Sequence, residues 1–352
     1  NPSSLHAAGR RARRLVDDAR DKVALAIGAD PSEIVFTGGG TEADNLALKG
    51  AAHKRRGNGD HLIVSAFEHH AVLDSAASME AQGWKVSHAP VGTDGLVDPA
   101  SIGAAVTKQT VLVSVMAVNN EVGTVQDITA IAQASREGNG QVLVHTDAVQ
   151  ALGNIPVDVR AWGVDLAAFA AHKLGGPKGV GALFVRAQVP VEPVIHGGGQ
   201  ERGLRSGTLN VAGIVGFGVA AEIAAKEVDE KADRLRALRS RLLQGISAVV
   251  PDAVVNGDLE RRVAGNLNVV IPRADAETLL LLFDRAGIAC SSGSACASGA
   301  IDPSHVLLAM GVPLRHATSS LRLTLGRSST DEDVDAVLAA LPGVVASARA
   351  AA

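Results

Sequence analysis

Aromatic residues make up 2% of this 352-residue chain, and tyrosine is absent altogether. The core must therefore be assembled from Ala, Val, Leu and Ile. A binder of single-stranded nucleic acid, which relies on stacking platforms, is disfavoured. The formal net charge of −4 offers no global pull toward a polyanion either. Cysteine is as scarce: two residues are too few for the disulfide framework of a small secreted protein. Long hydrophobic runs are missing as well. VLVSVMAV (Val111 to Val118) is typical of the longest, far short of the roughly 20 residues a membrane-spanning helix needs. No charged-then-apolar leader opens the chain. These absences set the expectation of a soluble protein in a reducing, cytoplasmic setting, with no nucleic-acid or membrane partner.

What is present is ordinary for a globular protein: 47% apolar and 20% charged residues. The length favours two domains, since single cores stop growing near roughly 250–300 residues. The basic cluster RRARR (Arg10 to Arg14) reads as the solvated face of a helix, because Leu15, Val16, Ala19, Val23 and Ala26 keep a helical apolar stripe. Beyond it, short apolar runs alternate with amphipathic ones. EIVFTGGG, HLIVSAF, TVLVSVMAV, QVLVHTDAV, DLAAFAAHK and GALFVR read as strands separated by helical or Gly-rich segments. That alternation predicts an α/β domain on a mainly parallel sheet covered on both faces, with ligands at the C-terminal ends of its strands.

From about Val228 the pattern changes. A long charged helix (EVDEKADRLRALRSRLLQGI) precedes NLNVVI, AETLLLLFDRAG, SSLRLTLG and DEDVDAVLAALPG, read as strand, helix, strand and helix. The expected division is a large domain over residues 1–229 and a smaller α+β domain over residues 230–352.

Three segments carry candidate chemistry. TGGGTEADN (Thr37 to Asn45) stands at a strand-to-helix transition, where Thr41 is placed to cap the helix with Asp44 three residues on. Free N–H groups there suit an anion such as phosphate; a simple tight turn is the competing reading. In HTDAVQ (His145 to Gln150), Asp147 ends an apolar strand, so it needs a cationic partner or a helix to cap. In FAAHKLGGPKG, Lys173 follows another apolar strand. A lysine in a desolvated pocket forms Schiff bases, although most strand-end lysines simply reach solvent. Together, a phosphate-type loop, an aspartate and a lysine are the three handles of pyridoxal phosphate. Both cysteines fall in CSSGSACASG (Cys290 to Gly299). A disulfide, a metal site or a reactive thiol are all open on the residues alone.

The order FTGGGTEADN, EHHAVLD, NNEVGTVQDI, HTDAVQ, AHKLGGPKGVGAL, HGGGQERGLRSGTLN and SSGSAC resembles the NifS/IscS-type cysteine desulfurases. These are pyridoxal-phosphate enzymes of aminotransferase class V, and the resemblance covers nearly the whole chain. It implies fold type I, the PLP-dependent aminotransferase-like architecture. It also implies a site: Lys173 holding the cofactor aldehyde, Asp147 on the pyridine nitrogen, Gln150 on the ring hydroxyl and His69 stacked on the ring. Thr41, the amide of Gly40 and His172 would hold the phosphate. Thr208 would reach the phosphate of a neighbouring subunit, which implies a homodimer. Asn120 and Arg322 would orient the carboxylate of the substrate, L-cysteine, and Asn120 would also border the cofactor. Cys296 would be the nucleophile that takes up sulfur as a persulfide, with His69 as proton partner. An acceptor protein such as an iron–sulfur scaffold would receive the sulfur. Cys290 would be a small buried residue ending a GIAC strand. No metal site is expected, since the thiols lack ligand spacing.

Two departures from that pattern stand out. Ala170 occupies a position where the family usually has a phosphate-binding serine, which should weaken cofactor affinity by about 1–2 kcal/mol. Relatives also carry a short segment ahead of the position of Asn1 that lines the site, so a molecule beginning there is expected to be impaired. Apart from His69 and His172, other histidines receive modest readings: His70 points away from the site, His53, His61 and His88 lie on the surface, and His196 opens a flexible turn in HGGGQ. The rival functions are a class V transaminase, which has no need of Cys296, a selenocysteine lyase, and a catalytically silent sulfur-transfer partner.

Overall fold

Six of the apolar runs form strands in which every residue is buried: β1 (Ile34–Thr37), β2 (His61–Ser65), β4 (Thr110–Ser114), β5 (Leu143–Asp147), β6 (Leu166–Ala170) and β7 (Gly181–Val185). Continuous burial is what a sheet covered on both faces demands. The computed structural model describes residues 1–293 and 303–351. In it these strands and β3 (Lys85–Ala89) form one seven-stranded sheet, ordered β1-β7-β6-β5-β4-β2-β3. The strands from β6 through β3 pair in parallel, whereas β7 runs antiparallel to both β6 and β1. Strand β1 therefore points the same way as β6. The C-terminal ends of β1, β2, β4, β5 and β6 consequently share one edge of the sheet.

Strand β3 was not anticipated. Its sequence KVSHA is largely exposed, as suits an edge strand, and carries too few apolar residues to announce itself. His61, expected at the surface, is instead buried in β2. Its ring nitrogens lie 2.8 Å from Thr110 Oγ1 and 2.9 Å from Ser87 Oγ, so the imidazole ties three neighbouring strands together. The opening helix, Ala7–Ala26, buries Val16, Ala19 and Val23 and leaves the RRARR arginines exposed. Leu15, assigned to the apolar stripe, is exposed at 41%.

The chain divides into two compact units. The first comprises residues 1–89, 98–118 and 126–228, and the second residues 90–97, 119–125 and 229–352. The first holds the seven-stranded sheet and a core around Val35, Leu46, Leu62, Val64, Leu112 and Leu183. The second holds an antiparallel three-stranded sheet, β10-β9-β8, made of β8 (Val254–Val255), β9 (Asn266–Val270) and β10 (Ser320–Thr324). Its core joins Leu267, Val269 and Leu321 to Leu279 and Phe283 of the helix Ala276–Arg285 and to Leu341 of the helix Asp331–Ala351. Among the described residues, Asp331–Ala351 is the one helix long and apolar enough to cross a membrane. Its apolar character has a local use, since Val334, Leu341, Val344, Val345 and Ala348 are buried in that core.

Candidate functional site

The shared sheet edge gathers the residues expected to carry chemistry. Strand β1 runs into Gly38–Gly40 and the helix Gly40–Asn45, β2 into Glu68 and His69, β5 ends on Asp147, and β6 runs into the turn Ala171–Leu174. A single edge therefore presents Thr41, His69, Asp147, Gln150, His172 and Lys173. This is where parallel sheets hold ligands.

Asp147 is fully buried, and that burial pushes its carboxyl up to about 6; the Lys173 ammonium pulls in the opposite direction. Its Oδ1 also accepts the Val149 amide at 2.9 Å. Of the two expectations the cation is met, whereas no helix follows for Asp147 to cap: its bond to Val149 closes a turn. Lys173 itself is exposed among the described residues, rather than desolvated. The neighbouring His172 has its imidazole held below the ordinary range, first by desolvation and then by Lys173 and Lys178.

The capping box anticipated for Thr41 and Asp44 does not form. Gly39 occupies the N-cap position with φ 155° and no side-chain bond, which places Thr41 inside the first turn. Glu42 reaches back instead, accepting the Gly38 amide at 2.7 Å and pairing with Arg205 at 2.7 Å. Freed from capping, Asp44 turns inward. A Cβ on Gly40 would come within 2.6 Å of Val149 Cγ2, whereas one on Gly39 would meet open space. The loop is therefore packed on one side and open on the other, and the Thr41 hydroxyl is exposed.

His69 is the N-cap of the helix His70–Glu80: its Nδ1 accepts the Ala71 amide at 3.0 Å. The neutral ring accordingly carries its hydrogen on Nε2. His70 turns toward Asp74, 3.3 Å away, as expected. Gln150 is half-buried and Thr208 exposed.

In the second unit, Arg322 of β10 donates to the carbonyl oxygen of Asn120 at 2.9 Å and to Ser291 Oγ at 3.3 Å. The Oδ1 of Asn120 is buried without a hydrogen-bond partner among the described residues. Ser304, which caps the helix His305–Ala309, donates to the buried carboxylate of Glu121. Cys296 lies outside the described residues. Cys290 is half-buried on the core side of the second unit and belongs to no strand, contrary to the GIAC reading. Burial pushes its thiol up to about 11, with Asp284 adding to the effect.

Sequence reasoning passed over Glu68, His145 and Glu121 and gave Asp44 only a capping role; all four are buried. All four lie inside motifs quoted for other members, but a charged letter in an amphipathic stretch reads as surface.

A buried carboxylate beside a lysine at one sheet edge, next to a glycine loop open to solvent with a hydroxyl and an imidazole, is the donor set of a phosphorylated pyridine aldehyde. Residues 1–337 match the family described as Aminotransferase class-V. The chain belongs to the class V aminotransferases. It is 46% identical to the cysteine desulfurase IscS of Clostridium botulinum over 99% of this chain and 88% of the relative. Among solved structures it superposes on a NifS-like protein with a TM-score of 0.93 at 40% identity, covering 98% of this chain and 91% of that one. A structure of SspA in complex with cysteine matches with a TM-score of 0.80 at 34% identity, over 92% and 90% of the two chains. Members of this family are pyridoxal-phosphate enzymes, and the residues above fit that cofactor.

Proposed function

We infer that this chain is a pyridoxal-phosphate-dependent cysteine desulfurase, which converts L-cysteine to L-alanine and keeps the sulfur as a persulfide on Cys296. The observation that carries the reading is Asp147, a buried carboxylate next to Lys173 at the sheet edge of a class V aminotransferase. Bound there, the cofactor supplies an electron sink for the substrate carbons. Asp147 would keep the pyridine nitrogen protonated, and Thr41, the Gly40 amide and His172 would hold the phosphate. Gln150 would bond the ring hydroxyl, and His69, oriented by the Ala71 amide, would lie beside the ring. Lys173 would hold the cofactor aldehyde and serve as the base at the substrate Cα. Arg322 and Asn120 orient the substrate carboxylate.

In the sulfur step the Cys296 thiolate attacks the substrate sulfur. The new S–S bond forms as the Cβ–S bond breaks, with that bond's electron pair passing to the carbon side. Protonation of that carbon completes alanine and leaves Cys296 with one extra sulfur. The thiolate requirement gives His69 a second use as proton acceptor. Residues 1–229 would bind the cofactor and residues 230–352 would carry the thiol. The same reading takes the protein as a cytoplasmic homodimer, with exposed Thr208 meeting the partner's phosphate, and it passes sulfur to an acceptor such as an iron–sulfur scaffold.

The test is to mix protein, pyridoxal phosphate, L-cysteine and a thiol reductant and to quantify alanine and sulfide, with Cys296→Ala alongside. Equal amounts from the wild type and none from the variant are expected. Product that survives the substitution would move the sulfur chemistry off Cys296 and favour a lyase. A yellow protein that makes no product would favour a transaminase.

A further inference from the structure

Strand β5 carries His145 and Asp147 two residues apart, so both side chains leave the same face of the sheet. The helix Gly40–Asn45 supplies a third group, Asp44, whose Oδ1 stands 3.5 Å from His145 Nε2. Both atoms are buried, and neither has a hydrogen-bond partner among the described residues. The other imidazole nitrogen, Nδ1, lies 2.8 Å from Ser114 Oγ on β4. Glu68 is buried as well; its Oε1 accepts from Ser65 Oγ and from the Met116 amide, each at 2.6 Å.

Three carboxyl groups thus occupy one buried neighbourhood, close enough that Asp147 and Glu68 each raise the proton affinity of Asp44 and Asp147 raises that of Glu68. Among the described residues few charges offset them, and Lys49 of the adjoining segment Leu46–Gly50 donates to Asn45 Oδ1 at 2.8 Å. The elements packed on the Gly40–Asn45 helix include β1, β6 and β7, none of which carries a titratable side chain. The helix His70–Glu80 turns His70, Asp74 and Glu80 to solvent. Lys173 acts on Asp147. One cation balances one anion, and two further buried anions would each cost several kcal/mol. The way out is protonation. Glu68 is pushed up to about 8 and Asp44 well above the usual carboxylate range, mainly by burial, so Asp147 at about 6 is the easier of these to ionise. His145 is driven down to about 3 by burial, which leaves its imidazole neutral and able to accept at Nε2.

We propose that Asp44 and Glu68 are positioning residues of the cofactor site. Each holds a proton at neutral pH, Asp44 directing its own toward His145 Nε2, so that Asp147 alone carries the charge offered to the pyridine nitrogen. The proposal rests on the assignment of Asp147 to that nitrogen. It gives the acids a task that burial for stability does not require: they fix how much negative charge the ring nitrogen meets.

Infrared spectroscopy in heavy water separates the carbonyl stretch of a protonated carboxyl from the carboxylate bands. Two protonated-carboxyl bands are expected near pH 7 in both the apo and the cofactor-loaded wild type, one lost in Glu68→Gln and the other in Asp44→Asn. In the wild type the Glu68 band should fade as pH rises through about 8. The visible absorbance of the bound cofactor should change in step with it, and Glu68→Gln should lack that step. The wild-type titration stands even where a variant fails to fold. Absence of both bands at neutral pH, or bands that persist in both variants, overturns the proposal. A cofactor absorbance indifferent to loss of the Glu68 band overturns the positioning role. Protonated acids in a protein that binds no cofactor would instead defeat the Asp147 assignment and, with it, the role.

Discussion

Arg322 and Asn120, 202 positions apart in sequence, meet through a guanidinium-to-carbonyl hydrogen bond of 2.9 Å. The same guanidinium reaches Ser291 Oγ, and the backbones of Ser291 and Arg322 exchange hydrogen bonds. Arg322 is therefore held in place before any substrate arrives, which favours a fixed two-point grip on a carboxylate. Arg322→Lys keeps the charge but loses the fork. A rise of about 10- to 100-fold in KM for L-cysteine is expected, from the roughly 1.5–3 kcal/mol of a charged hydrogen bond. Steady-state alanine production checks it.

Cofactor uptake should depend on pH through Asp147. Its carboxyl stands near 6 in the empty site, above its ordinary value, and only its charged form attracts a protonated ring nitrogen. Affinity of the apoenzyme for pyridoxal phosphate should therefore fall on acidification below about pH 6, by up to about tenfold per unit. Asp147→Asn should bind weakly and lose that dependence. Absorbance or fluorescence titrations across the range decide it.

Glu68 makes a prediction about stability. Burial raises its folded value from 4.5 to about 8, so across that interval the folded chain holds a proton that the unfolded chain has released. Stability from this group is fully present below the lower value and is lost as pH rises toward the upper one. The loss is at most about 1.4 kcal/mol per pH unit. Urea midpoints of the apoprotein at about pH 6 and about pH 9 should differ more for the wild type than for Glu68→Gln.

Ala170 ends β6, buried, just before the His172–Lys173 pair. Ala170→Ser restores a hydroxyl where the family usually has one. It should tighten pyridoxal phosphate by about 5- to 30-fold, equivalent to about 1–2 kcal/mol. An unchanged dissociation constant would show that the hydroxyl has no part in holding the phosphate.

Glu201 offers a stability test at a distance from the sheet edge. Its carboxylate accepts a bidentate contact from Arg20, at 2.6 and 2.8 Å, and the Phe36 amide at 2.7 Å. Arg20 in turn lies over the Phe36 ring at 4.6 Å. Glu201→Ala leaves the buried Phe36 amide unpaired and takes from the part-buried Arg20 its anionic partner, leaving its bond to the Ile34 carbonyl. A loss of about 3–5 kcal/mol is expected, read from chemical denaturation.

Most of the sheet could be read from the sequence because its strands are buried on both faces and so appear as unbroken apolar runs, as in LAAFA and GALFV. β3 escaped because an edge strand needs no such run. Asp147, Lys173 and the glycine loop were visible because polar residues interrupt apolar strands at their ends. Thr41 was misread for a local reason: Gly39 adopts a φ that a capping threonine would not, which moves the helix start back and sends Asp44 into the core. His61 and His145 read as ordinary polar letters, yet both are core residues that bond strand-borne hydroxyls, His61 through both ring nitrogens and His145 through Nδ1. The buried acids were the least legible, since only three-dimensional crowding distinguishes them from solvated carboxylates.

The suppressed thiol of Cys290 changes how the protein can be handled at the bench. With its thiol near 11, only about one molecule in ten thousand carries a thiolate there at pH 7. Because the chain has just one other cysteine, a maleimide at neutral pH should spare Cys290, and sulfur loaded by turnover can be counted per chain without removing that thiol.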